Sequence, residues 1–376
     1  MSRLRHFLLL GSVLVFAAIL ASAEDEAFTE NFTTPATKIA STVPQNGDVN
    51  PYGIAVVQRS TGKLVKGHIL VSNFNNAITV ANPGGLQGTG ITIVDLSPDA
   101  DDNPATAKVF AKIRTQDLPG PCPGGVGLTT ALVVLRSGWV IVGSLPTADG
   151  TAATAEAGCL IVLDSRGHVV ETFSGGAING PWDMTSVEDD DIAELFVTNV
   201  LNGTVAANGS VVNRGTVLRI ILLVPDQGRP RELLRTVIGS GFSERTDPAA
   251  LVIGPTGVGL GCDGTLYVAD TLANRIAAIH DAVLRFTSAG TGKTVSVGGG
   301  LNNPLGLAIA PNCNILTVNS NDGNLVELTP RGFQFLPINI DTSGLGGGTL
   351  FGLAVAPNGK GIYFVDDGDN TLDLFH

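Results

Sequence analysis

The chain has 376 residues and a formal net charge of −12; 44% of it is hydrophobic, 15% is charged, and 48 residues are glycine. A surface of that sign repels phosphate backbones and anionic headgroups, so nucleic acid is excluded as a partner and acidic membranes are disfavoured. Beyond the first residues no run of 18 apolar residues occurs, so no membrane insertion is expected of the rest.

The chain opens with "MSRLRHFLLLGSVLVFAAILASAED". Arg3 and Arg5, an apolar run from Phe7 to Leu20, and small residues at Ala21 and Ala23 have the order of a secretory signal peptide, too short for a membrane span. Residues 1–23 are therefore expected to be removed, leaving a secreted protein, periplasmic or extracellular. Asn31, Asn202 and Asn208 stand in Asn-x-Ser/Thr triplets and are glycan acceptors if the secretory pathway is eukaryotic.

Residues 50–376 repeat one pattern: a strand, a Gly/Asn/Asp turn, and a second strand rich in β-branched or aromatic residues with a small polar end. The copies begin at Asn50 ("NPYGIAVVQ"), Gly127 ("GLTTALVVLRSGWVIVGS"), Gly180 ("GPWDMTSVEDDDIAELFVTN"), Gly254 ("GPTGVGLGCDGTLYVAD"), Asn303 ("NPLGLAIAPNCNILTVN") and Leu350 ("LFGLAVAPNGKGIYFVDD"). Third and fourth strands follow, as in "GITIVDLSP" then "AKVFAKI" and "TVLRIILLV" then "RELLRTVI". The fold expected is all-β, a six-bladed β-propeller of four-stranded antiparallel blades. The sixth copy stops at its third strand, so residues 24–49, around Phe28 to Thr42, are expected to supply the last strand of the final blade and close the ring.

"PTGVGLGCDGTLYVADTLANRI" resembles an NHL repeat, with its Pro-x-Gly opening, Gly turn, Tyr-Val-Ala-Asp strand and Asn-x-Arg ending. The copies at Gly127 and Gly180 depart from it, with Ser144 for the terminal acid and Asp183 for the Gly after Pro-x. The resemblance implies a six-bladed propeller and no single activity, because such propellers include binding proteins, lactonases and lyases.

With strands lettered a to d outward, the a-b and c-d turns are short and share one face. The b-c connections of the first three units (residues 73–90, 144–158 and 199–215) are long and lie on the other, as a binding surface would. On that face the residue after Pro, or its counterpart, is Tyr52, Trp182, Thr256, Leu305 or Phe351, which makes these the candidate ligand-binding residues at the channel mouth, with aromatic rings suited to stacking a sugar. Strand b ends in Asn73, Asn199, Asp270, Asn319 or Asp366; converging on the axis they would hold calcium, and in the blander reading they cap turns, Asp270 pairing with Arg275. "VEDDDIAE", with Asp189, Asp190 and Asp191, is read as a solvated a-b turn.

Four cysteines in an exported chain favour two disulfides. Cys122 and Cys159 both fall on the long-loop face of unit two, and Cys262 and Cys313 in the a-b turns of units four and five, so those are the expected pairs. His68, His168 and His280 occupy no channel-facing repeat position, and zinc-protease, serine-hydrolase and P-loop motifs are lacking. The reading this favours is a non-catalytic propeller binding an extracellular protein, glycan or small molecule on its long-loop face without a cofactor. The alternative is a calcium-dependent lactonase or related hydrolase with its metal in the channel, against which "NPYG" lacks the first-blade Glu of such enzymes.

Overall fold

The computed structural model describes residues 26–76 and 85–376. Residues 1–23, expected as a signal peptide, and part of the first long connection lie outside the described residues. The strands form six antiparallel sheets, one for each repeat.

Blade 1 comprises strands a Val49–Val56, b Ile69–Asn75, c Thr92–Leu96 and d Lys108–Lys112, and blade 2 comprises Leu128–Val134, Val140–Ser144, Leu160–Leu163 and Val169–Phe173. Blade 3 runs Pro181–Asp189, Ile192–Asn199, Val212–Leu223 and Arg231–Asp247; blade 4 runs Pro255–Leu260, Leu266–Asp270, Arg275–Ile279 and Lys293–Val297. Blade 5 has Pro304–Ile309, Ile315–Asn319, Asn324–Leu328 and Ile338–Asn339, and blade 6 has Leu350–Val355, Ile362–Asp366 and Thr371–Phe375. Its outer strand is Thr37–Ser41, paired antiparallel with Thr371–Phe375. An early strand thus lies beside the last one, and the ring leaves no blade incomplete.

Strands b and c of blades 1, 2, 4 and 5 are buried almost throughout, because each blade is covered on both faces by its neighbours. Six apolar clusters account for this burial, one for each interface between adjacent blades. Leu70, Ile93, Val142 and Ile161 join blades 1 and 2, for example, and Val71, Val94, Val365 and Leu372 join blades 6 and 1. The innermost strands come closer still: a Cβ on Gly306 would stand 1.9 Å from the Phe351 carbonyl oxygen, so that position requires glycine.

Blade 3 corrects one detail of the sequence reading. Its outer strand does not end near Ile238 but continues to Asp247, and a fifth strand, Leu251–Ile253, pairs with its end. Alternation carries it on, with Phe242, Glu244 and Thr246 buried in turn. The disulfides are Cys122–Cys159 and Cys262–Cys313, the second joining the a-b turns of blades 4 and 5. No helix among the described residues is long and apolar enough to cross a membrane.

Candidate active site

The six inner strands enter the ring at equivalent positions, since Leu128, Pro181, Pro255, Pro304 and Leu350 each pair with the last residue of strand b in their own blade, and Pro51 pairs with Asn73, two residues before the end of its strand b. One residue on stand Tyr52, Thr129, Trp182, Thr256, Leu305 and Phe351. Tyr52 stacks on Phe74 and on Phe351, with ring centroids 4.5 and 4.1 Å apart, and Trp182 meets Tyr52 and Phe74 edge to face at 5.7 and 5.6 Å.

This packing buries the two largest sequence-predicted ligand contacts: Tyr52 is 2% exposed and Trp182 4%. The long connections explain why. Leu145, Ala152 and Ala155 from blade 2, and Val200, Leu201 and Val205 from blade 3, cover the rings, and so do Leu251 and Val252 of the fifth strand. Thr256 is buried as well, its hydroxyl 2.8 Å from that of Thr271 and 3.2 Å from the Leu305 carbonyl; Leu305 and Phe351 are half-buried. The structure therefore brings Tyr52, Trp182 and Phe351 together as a stopper at the long-loop end of the axis.

Below the stopper the channel opens towards the a-b turn face, with a volume of about 330 Å³. Its wall combines the apolar side chains of Ile54, Leu132, Met184, Val258, Leu307 and Leu353 with exposed polar groups, among them Thr130, Thr185 and Ser186. Asp183 is its only carboxylate and lies against the stopper, where it also lines the narrow neck beside Trp182, Thr256 and Phe351.

Sequence comparison between blades had marked Asp183 only as a departure from the repeat. Four blades have glycine at this position (Gly53, Gly257, Gly306, Gly352), blade 2 has Thr130 and blade 3 has Asp183. Its Oδ2 accepts the Val258 N–H of blade 4 at 3.0 Å, and its own N–H donates to Thr198 Oγ1 at 3.0 Å, which in turn donates to the Thr256 carbonyl at 2.9 Å. Burial pushes the carboxyl up to about 7, although the Met184 and Val258 N–H groups pull the other way. The residue is 8% exposed and lines both the channel and the neck. The missed signal was the single acid among inner-strand residues that are otherwise glycine or threonine.

The ends of strand b serve the connections between blades. Asn199 accepts the Asn179 N–H at 3.2 Å; Asn319 accepts from Asn302 N–H at 3.0 Å and donates to the Gly300 carbonyl at 2.8 Å; Asp366 accepts from Thr342 N–H at 3.1 Å. Asn73 donates to the Thr42 carbonyl at 2.9 Å, and Asp270 holds Arg275 Nε at 2.8 Å. Each of the five thus anchors a backbone segment or side chain within its own blade or a connection leading into it, and none lines the channel. A calcium ion needs six to eight oxygens. The channel supplies one carboxylate already engaged by backbone N–H groups, and no cluster of three His, Cys, Asp or Glu able to hold a metal occurs among the described residues. The residues present do not fit calcium.

The histidines are elsewhere: His68 pairs with Asp95 at 2.8 Å, His168 with Asp164 at 3.1 Å, and His280 lies 3.1 Å from Thr265 Oγ1. None lines the channel.

The fold and the site define a six-bladed β-propeller with one raised-pKa carboxyl in a channel stoppered at one end. No family model and no curated protein matches the sequence. Solved structures similar to it include a gluconolactonase from Xanthomonas campestris, at 12% identity and a TM-score of 0.52 over 92% of this chain and 95% of that one. A luciferin-regenerating enzyme matches at 11% identity and 0.53, over 90% and 94%. The PQQ-bound aldose sugar dehydrogenase of Streptomyces coelicolor matches at 14% identity and 0.53, over 90% and 96%. At these identities the likeness establishes the propeller fold.

These neighbours correct the functional expectation drawn from sequence. Sequence alone favours a non-catalytic binder working through its long-loop face, yet the similar propellers were solved as enzymes. The physical reason agrees, for the long loops fold down onto the stopper and the open end of the channel is on the other face.

Proposed function

We propose that the protein is a hydrolase of the lactonase type acting at Asp183, in an exported, disulfide-bonded propeller of NHL-like repeats. One observation carries this reading: a buried carboxyl with a pKa of about 7 at the inner end of the channel, with hydroxyl groups on the same wall. Such a group is half-ionised near neutrality, so it accepts a proton and returns it in one cycle.

In the reaction the Asp183 carboxylate takes a proton from water as the water oxygen bonds to the lactone acyl carbon. The acyl to ring-oxygen bond then breaks, and the departing alkoxide takes the proton back from Asp183, giving a hydroxy acid. The hydroxyls of Thr130, Thr185 and Ser186, on the same wall, are the donors available to the developing oxyanion. Exclusion of bulk water by the stopper keeps the carboxyl near neutrality in pKa and strengthens those hydrogen bonds.

The test is turnover of a panel of five- and six-membered lactones with matched acyclic esters. Asp183→Asn, which retains an acceptor for Val258, is expected to lower kcat by about a hundredfold or more. Failure of the wild-type protein to hydrolyse any member, or full activity in the variant, overturns the reading.

A further inference from the structure

A second cavity, a groove of about 580 Å³, lies on the a-b turn face across blades 1 to 3. Its walls come mostly from turns: Arg59 of blade 1, Arg136, Trp139 and Asp164 of blade 2, and Asp190 and Asp191 of blade 3, with Glu188 at the end of an inner strand. It lies near the open end of the channel, since Arg136 and Glu188 follow the channel residues Val134 and Ser186 by two positions in the chain.

Three features of the groove point to a ligand. Trp139, one of only two tryptophans, is incompletely buried in its wall, packed on one side against the core between blades 2 and 3. The Arg59 and Arg136 side chains enter no ion pair among the described residues, although Asp164, Glu188, Asp190, Asp191 and Asp226 line the same groove. Glu188 is held in place by the Arg136 backbone N–H, at 2.9 Å to one oxygen and 3.1 Å to the other, which fixes a carboxylate against the turn that carries Arg136.

The charge pattern selects the chemistry. Five carboxylates against two guanidinium groups leave the groove net negative, so it repels an anion, while both kinds of hydrogen-bonding group remain in its wall. A neutral polyhydroxylated ligand suits both, because each vicinal hydroxyl donates to a carboxylate and accepts from a guanidinium. An indole adds a flat face for the C–H side of a sugar ring. We infer that this groove is a binding site for a neutral saccharide, with Trp139 as the stacking platform and Arg59, Arg136, Glu188 and Asp191 as hydroxyl partners. It is built from residues other than Asp183 and stands or falls separately from the reaction proposed for the channel.

Intrinsic fluorescence reads the site selectively, because the other tryptophan, Trp182, is buried in the stopper. Purified protein is titrated with neutral trisaccharides of glucose in several linkages, with oligogalacturonate as the anionic probe and chitosan oligomers as the cationic one. The inference expects saturable binding of at least one neutral probe, unchanged in Asp183→Asn and, followed by calorimetry because the reporting indole is gone, weakened about tenfold or more in Trp139→Ala. Should Trp139→Ala fail to fold, the doubly substituted Arg59→Gln, Arg136→Gln protein, followed by calorimetry, must show the same loss. Binding of the cationic or anionic probe alone, no saturation by any neutral probe, or equal affinity in a folded Trp139 variant overturns it.

Discussion

Asp183 of blade 3 accepts a hydrogen bond from the backbone N–H of Val258 in blade 4, 3.0 Å away, and so joins the two inner strands with the only carboxylate in the channel. The contact both positions the carboxylate and partly stabilises its ionised form, while burial acts more strongly in the opposite direction.

A pH dependence of stability follows. The folded-state pKa of Asp183 is raised above its unfolded value, so the folded protein holds the proton more tightly. Stability from this group is fully present below about pH 4 and is lost as pH rises towards 7, by about 1.4 kcal/mol for each unit between the two values as an upper bound. Urea midpoints of wild type and Asp183→Asn should therefore diverge in favour of the variant from pH 4 to 7.5. Parallel curves would show that the carboxyl is not perturbed.

The same group sets the pH dependence of the proposed hydrolysis. Acting as base, it should make kcat/KM rise with pH and level off above about 7. Because the channel donors do not fit calcium, chelator treatment should leave the rate unchanged. A rate abolished by chelator and restored by calcium would show that metal chemistry operates.

Arg275 and Asp270 form a buried pair at 2.8 Å, with Arg275 also bonded to Thr294 Oγ1 and the Thr291 carbonyl. Arg275→Ala leaves the carboxylate, already raised by burial, without its partner and should cost about 3 kcal/mol or more. Arg275→Ala with Asp270→Asn should recover part of that loss in a denaturation series, which a mere packing defect would not.

The stopper should behave as core rather than as a ligand platform. Tyr52→Ala removes a ring that touches Phe74, Phe351 and Trp182, and should destabilise by about 3 to 5 kcal/mol. The thermal midpoint measures this directly, and an unchanged midpoint would mean that the rings are not packed as described.

The disulfide Cys262–Cys313 closes a span of 51 residues between blades 4 and 5. Replacing both cysteines by serine should lower stability by roughly 2 to 4 kcal/mol. Unfolding followed in reducing and non-reducing buffer provides the comparison.

Much of this architecture was legible in the residues alone. Alternating apolar positions and Gly/Asn/Asp turns are local properties, so six copies of one strand pair implied six blades, and the truncated sixth copy implied that the segment before Tyr52 returns to complete it. The cysteine pairs followed once each cysteine had a face and a blade. The site resisted the same treatment. Tyr52, Trp182 and Phe351 occupy equivalent repeat positions, but whether they face a ligand or one another depends on loops such as residues 145–155 and 200–205 folding over them. Asp183 looked like a lapse in a glycine pattern because its surroundings come from other blades: the Val258 N–H, the Leu307 and Leu353 side chains, and the stopper above. Local spacing dictates how a blade pairs with itself, whereas the burial that raises a carboxyl to about 7 arises only when six inner strands converge on one axis and water is shut out at one end.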